Sequence, residues 1–262
     1  MKILLVNDDG YRSPGIHALI LTLKAEHDLT VVVPALEQSG KSHCMTFLEP
    51  VTYDHFHLSE VDHDIYMVHG TPSDCVLMAL DQIMTEKPDL VISGINKGYN
   101  SGGAIVYSGT VSAAYEGASR GIPAFALSAD FTGADFTLVA KMFKAMLPEI
   151  LAQEKDKLFF YNINFPNLPL SALKGIRKTT IADSQITEKM EKRVDPFQRE
   201  YYWHSYDCKL AESISDEAGS DMQAIHEGYI SVTPLKLNYF DEKKFDQMMD
   251  FSDVFSEIKA LK

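Results

Sequence analysis

Two hydrophobic patterns alternate along the first 150 residues. Short aliphatic runs at Ile3–Val6, Leu29–Val33, Ile65–Val68, Leu90–Ile92 and Ala124–Leu127 are apolar at consecutive positions, as strands buried on both faces are. Helical periodicity falls near Ile16–Glu26, Ser73–Met84, Thr110–Arg120 and Phe136–Ala152. The alternation predicts an α/β fold: a mostly parallel sheet between two layers of helices. Sheets of this kind place their ligand sites in the loops beyond the carboxyl ends of the strands, where strand order reverses.

The remainder is less regular. Cys44–Asp62 alternates enough to predict an extended hairpin beside the sheet. After Tyr161 come NINFP, a charged stretch at Thr187–Glu200, aromatic Tyr201–Trp203, the strand-like run GYISVTPL and a terminal helix at Phe240–Lys262. The pattern predicts a core over 1–160 and a smaller β-rich extension over 161–262, an excursion of the same folding unit. Intrachain packing is the expected use of the terminal helix's apolar residues, with docking on another subunit as the alternative.

Composition narrows the function. Of 262 residues, 37 are acidic and 24 basic, a net charge of −13, so the surface repels polyanions unless a local site or a metal reverses the sign. Nucleic-acid polymers and membrane surfaces are not expected partners. Cys44, Cys75 and Cys208 are scattered and odd in number, with no CxxC, which predicts buried thiols in a reducing compartment. The first apolar run spans four residues, too short for the core of a signal peptide, and no run is long enough for a bilayer. A cytoplasmic location is expected.

The chemistry begins at Asp8 and Asp9, which leave the first strand ahead of Gly10. Adjacent carboxylates repel unless a cation lies between them, and hard divalent ions prefer such oxygens; an Asp-Gly turn with a helix cap is the alternative. A glycine-rich segment, Ser93–Ala114, follows the strand DLVI. Its Asn96 and Asn100 offer carbonyl oxygens to a metal or amides to a phosphate. Ser108, Gly109 and Thr110 then open a helix, whose unpaired N–H groups attract an oxyanion. After the second strand, Ser39 and Gly40 form another polar loop at the same edge. Ser39 could complete a metal shell there, and Lys41 could meet a phosphate. His43, His55, His57, His63 and His69 stay in reserve as ligands, because none forms HExxH. GxxxxGK[ST] and GxSxG are absent, which disfavours phosphate-loop and serine-hydrolase chemistry.

In order, NDDG (7–10), EQSG (37–40), HGTPSDCV (69–76), SGINKGYN (93–100), YSGTVSAAYEG (107–117) and GYISVTPL (228–235) resemble the SurE family of nucleotidases. The resemblance implies a Rossmann-like core with a C-terminal extension exchanged between subunits, in a homodimer or homotetramer. It implies hydrolysis of nucleoside 5′- and 3′-monophosphates, with exopolyphosphatase side activity on short polyphosphate. One magnesium or manganese ion per subunit would be held by Asp8, Asp9, Ser39 and Asn96. Phosphate contacts would come from Asn96, Ser108, Gly109 and Thr110. The chain departs from the family at Gly103 and Ala104, where acidic residues are usual.

On this reading the cation neutralises the phosphoryl group and activates water, and Asp8 or Asp9 is the candidate catalytic carboxylate. The competing expectation is a magnesium-binding phosphoacceptor signalling domain, suggested by ILLVNDD and KPDLVI. It lacks an acceptor aspartate, since the candidate strand ends read Val68-His69 and Ser93-Gly94. A nucleotide-binding module without turnover is the third reading.

Overall fold

The computed structural model describes residues 1–183, 188–206, 217–238 and 245–247. The strands are β1 (Lys2–Val6), β2 (Asp28–Pro34), β3 (Tyr53–Leu58), β4 (His63–Val68), β5 (Leu90–Lys97), β6 (Ala124–Ala129), β7 (Phe160–Phe165), β8 (Gly175–Lys178), β9 (Glu188–Val194), β10 (Glu200–Tyr206) and β11 (Tyr229–Pro234). The helices are α1 (Pro14–Leu23), α2 (Pro72–Met78), α3 (Gly109–Ser119), α4 (Phe136–Gln153) and α5 (Asp221–His226).

Nine strands form one sheet in the order β3-β4-β2-β1-β5-β6-β7-β11-β8. From β4 to β7 neighbouring strands are parallel, while β3 and β11 run antiparallel to β4 and β7. The chain steps outward from β1 through β2 and then returns to β5 on the other side of β1. The carboxyl ends of β1 and β5 therefore flank the point of reversal, where a crevice opens.

Alternation within β1 explains why its run is apolar throughout. Ile3 and Leu5 face a core built with Ile16, Leu19 and Leu23 of α1 and Val139 and Phe143 of α4. Leu4 and Val6 face the opposite core, with Val76 of α2 and Val111, Ala113 and Ala114 of α3. Both sets are fully or nearly fully buried, and each Val, Leu, Ile or Phe side chain among them contributes roughly 1.5–3 kcal/mol. Small residues let α3 lie close to the sheet: a Cβ on Gly117 would stand 2.7 Å from Val91 Cγ2.

Helix starts follow their capping residues. Ser13, Thr71, Ser108 and Asp135 each accept a backbone N–H from the first turn of α1, α2, α3 and α4. Two expectations need correction. The helix expected over Ser73–Met84 is α-helical only to Met78 and continues as a π-turn, Ala79–Ile83. The hairpin expected within Cys44–Asp62 is instead β3 paired with β4, because the otherwise open edge of β4 offers β3 a ladder. Residues 44–52 carry no regular structure.

The expected boundary at 160 falls at the start of β7, which joins the main sheet; β11 and β8 extend that sheet further. The charged and aromatic stretch forms a separate antiparallel pair, β9 with β10. The terminal helix expected over Phe240–Lys262 lies almost wholly outside the described residues, as does Cys208. Cys75 is buried as expected, but Cys44 is exposed because its loop lies outside the core.

Candidate active site

The chain turns sharply at the end of β1, and Asn7 builds the turn. Fully buried, Asn7 donates through Nδ2 to Gly10 O at 2.9 Å and accepts the Gly10 N–H on Oδ1 at 3.2 Å. Gly10 has φ 84° and sits where a Cβ would be 3.3 Å from Pro34 O, so the turn calls for glycine. Between these anchors the chain presents Asp8 and Asp9.

Asp8 is 3% exposed. Its Oδ1 accepts the Thr110 hydroxyl hydrogen at 2.5 Å, and its backbone carbonyl accepts the Gln38 N–H at 2.8 Å. The first turn of α3 presses against it: a Cβ on Gly109 would lie 2.8 Å from Asp8 Cβ and 3.0 Å from Oδ2. Asp9 is half-buried, and its Oδ2 accepts the Lys97 N–H at 3.3 Å and the Ser13 hydroxyl at 3.4 Å.

Burial raises the Asp8 carboxyl above the usual range, against the bonds from Thr110. Burial and then the neighbouring Asp8 charge push Asp9 up to about 7. Glu37, in the loop after β2, adds a third negative charge that raises both.

The other expected ligands come from the same edge. Ser39 is exposed, one residue beyond the Gln38 anchor, and donates to Glu37 Oε1 at 3.0 Å. Asn96 sits just past an irregularity in the β5–β6 pairing, between Ser93 and Asn96. Its Nδ2 donates to Gly98 O at 2.9 Å, which leaves Oδ1 as its donor atom for a ligand. Gly94 permits the irregularity: at φ 131°, a Cβ there would stand 2.3 Å from Leu127 O.

The donor set fits a hard divalent cation. Two carboxylates with raised affinity for protons share a buried turn, and no lysine, arginine or histidine among the described residues forms an ion pair with either. Repulsion of this kind is relieved by a proton or by a cation. Among the described residues, no three His, Cys, Asp or Glu side chains converge as a metal cluster. Ser39 and Asn96, at the same edge of the sheet, could offer such a cation further oxygens beside water.

The three residues expected at the helix start have distinct roles. Ser108 caps α3, accepting the Val111 N–H on Oγ at 3.0 Å. Gly109 supplies backbone and close approach. Thr110 directs its hydroxyl hydrogen onto Asp8. The glycine-rich loop before them is fixed rather than free. Asn100 N–H donates to Asn164 Oδ1 at 2.9 Å, while Asn100 O accepts from Asn162 and Asn164 at 2.7 and 3.0 Å. Gly102, next to the departure at Gly103 and Ala104, donates its N–H to the buried Asp221 Oδ2 at 3.0 Å.

None of the reserve histidines forms an ion pair with Asp8 or Asp9. His57 and His69 pair with Asp64 and Asp54 at 2.9 and 2.8 Å on the exposed β3–β4 edge, and His55 stacks on Tyr66. His63 bonds to the Asp64 carbonyl. His43 meets the buried Glu116 of α3 at 2.9 Å. Sequence reasoning missed the electrostatic part of Glu37 and the supports Asn162, Asn164 and Asp221. Glu37 had a visible signal, since it opens the EQSG run; the other three lie 60 or more positions from the loop they hold.

Fold and site together define a doubly wound α/β protein with an acidic, oxygen-rich cleft at the carboxyl edge of its sheet. The sequence profile described as Survival protein SurE matches residues 3–188. The chain is 39% identical over 237 residues to a protein of Syntrophobacter fumaroxidans named 5′-nucleotidase SurE, covering 90% of this chain and 93% of that one. A relative of the same name from Idiomarina loihiensis is 40% identical over 255 residues, 96% of this chain and 98% of that one. The crystal structure of the SurE protein from Aquifex aeolicus superposes with a TM-score of 0.79 at 38% identity, covering 95% and 98% of the two chains. The chain belongs to the SurE family.

Proposed function

We propose that the protein is a divalent-metal-dependent phosphomonoesterase that hydrolyses nucleoside 5′- and 3′-monophosphates to nucleoside and phosphate, with exopolyphosphatase side activity on short polyphosphate. One observation carries the reading: two adjacent carboxylates, Asp8 buried and Asp9 half-buried, with no cationic side chain among the described residues ion-paired to either, of which Asp8 abuts the first turn of α3. The relatives' name, 5′-nucleotidase, supports the substrate class.

In this reading Asp8, Asp9, Ser39 and Asn96 hold one magnesium or manganese ion. When bound, the ion supplies positive charge to the phosphoryl oxygens and acidity to water. The residues of the chain do the positioning. Asn96 and the Ser108–Thr110 turn contact the phosphate, with the helix dipole favouring its charge. Thr110 fixes the rotamer of Asp8. Asp8 and Asp9 hold the cation in this reading, and one of the two carboxylates orients the attacking water.

The reading extends to a cytoplasmic homodimer or homotetramer in which the extension is exchanged between subunits. No helix among the described residues is long and apolar enough to cross a membrane. The β9–β10 pair exposes Met190, Phe197, Tyr202 and Trp203, apolar area suited to a second copy.

The test is phosphate release from a panel of nucleoside monophosphates and tripolyphosphate with each metal in turn. Turnover that survives exhaustive chelation, or its absence with every metal, sinks the proposal. Wild-type turnover in Asp9→Asn would remove the acidic pair from the mechanism while leaving the class intact.

A further inference from the structure

Beside the acidic turn, the carboxyl ends of β2 and β4 and the loop at 44–52 line an open recess of about 270 Å³. Leu36, Gln38, Thr46, Glu49, His69 and Thr71 are among its walls. Gln38 belongs to both places, since its backbone N–H holds the Asp8 carbonyl at 2.8 Å. The recess is therefore continuous with the loop that carries Ser39.

Its walls are set in advance. Thr46 donates its N–H and hydroxyl to Asp74 at 3.1 and 2.6 Å, and Thr71 donates its hydroxyl to Cys44 O at 2.7 Å. Three hydrogen bonds thus pin the irregular loop to the start of α2. A preformed recess with mixed walls is the usual form of a small-molecule subsite, and its size falls just below the roughly 300–1,000 Å³ typical of whole ligand sites.

Charge selects the occupant. Among the described residues no lysine or arginine lines the recess, Glu49 brings a carboxylate to it, and His69 is already held at Nε2 by Asp54. A second phosphoryl group would meet repulsion here and find no counter-charge. A neutral group rich in hydroxyls and ring nitrogens would find an acceptor in Glu49 and hydrogen-bonding capacity in Gln38.

We propose that this recess is the subsite for the leaving nucleoside, with Glu49 and His69 as its specificity-determining side chains, so that it favours nucleoside monophosphates over extended polyphosphate. The inference rests on the phosphomonoesterase reading of the neighbouring acidic site. Glu49 and His69 are exposed, so replacing them should leave the fold intact.

The experiment compares kcat/KM for adenosine 5′-monophosphate, phenyl phosphate and inorganic tripolyphosphate in the full-length enzyme with saturating manganese. In Glu49→Ala and His69→Ala the ratio of the adenosine to the phenyl ester should fall about tenfold, chiefly through KM. In Glu49→Lys the preference for tripolyphosphate over adenosine monophosphate should rise by a similar factor. These ratios are independent of the fraction of folded enzyme. Ratios within about twofold of wild type in all three variants would overturn the inference. A wild-type enzyme that cleaves phenyl phosphate but no nucleoside monophosphate would overturn the nucleotidase reading, and this inference with it. An unchanged ratio in an active nucleotidase overturns this inference alone.

Discussion

Thr110 and Asp8 are 102 positions apart in sequence, yet the threonine hydroxyl donates to Asp8 Oδ1 at 2.5 Å. The bond ties the first turn of α3 to the end of β1 and fixes which Asp8 oxygen remains for a ligand. Thr110→Val keeps the shape and removes the donor. Cation affinity should drop about tenfold, the usual cost of losing a partner behind a metal ligand. Thr110→Ser should recover most of it. Titration of manganese binding by calorimetry checks both, and equal affinity in Thr110→Val would refute the positioning role.

Gly109→Ala probes the same contact from the backbone. The added Cβ would stand 2.8 Å from Asp8 Cβ and 3.1 Å from Pro72 Cγ, so Asp8 or the helix start has to shift. Alanine normally favours a helix over glycine by about 1 kcal/mol. Here the expectation is weaker cation binding and at least tenfold lower phosphate release in a protein that still folds.

Stability of the metal-free protein should depend on pH through Asp9. Burial and then the Asp8 charge raise its folded pKa to about 7 from the ordinary 3.8. The folded state therefore binds the proton more tightly than the unfolded state, and stability is lost as pH rises from about 4 to about 7, by an amount on the order of a few kcal/mol. A divalent cation competes with that proton, so the rise in Tm on adding manganese should be larger at pH 8 than at pH 5. Thermal denaturation at both pH values, with and without metal, decides it. A pH-independent shift would contradict the assignment.

Asn164 supports the glycine-rich loop from two sides, accepting the Asn100 N–H and donating to Asn100 O. Asn164→Ala leaves a buried N–H of that loop without its partner. The expected cost is about 1–3 kcal/mol of stability, with KM for substrate rising because the loop precedes Ser108–Thr110. Urea denaturation and steady-state kinetics measure the two effects separately.

Gly117→Ala should destabilise despite alanine's helix propensity. Its Cβ would lie 2.7 Å from Val91 Cγ2, forcing α3 off the sheet. Overpacking of this kind costs typically about 1–3 kcal/mol. A Tm equal to or above that of wild type would show that the helix moves more easily than the packing suggests.

Much of the fold was legible in the sequence because its cause is local. The run Ile3–Val6 is apolar at every position, as a strand covered on both faces must be, and the structure buries its alternate residues in two different cores. Ser13, Thr71, Ser108 and Asp135 stand before periodic segments, and each caps a helix. Asp8, Asp9 and Gly10 are contiguous, so the acidic turn was visible as a unit. Ser39, in the loop after β2, and Asn96, near the end of β5, are proposed to join it at a cation, and the parallel sheet gathers the carboxyl ends of its strands at one edge.

Tertiary structure alone decided how those side chains are committed. That Thr110 turns its hydroxyl onto Asp8, that Glu37 adds its charge to the acidic pair, and that Asn164 and Asp221 hold Asn100 and Gly102 all depend on sheet register and on the close approach of α3. The joining of β7, β11 and β8 to the sheet is equally non-local. The acidic pair was written in four adjacent residues, whereas burial and mutual charge, which lift Asp9 to about 7, arise only when distant segments exclude water from one turn.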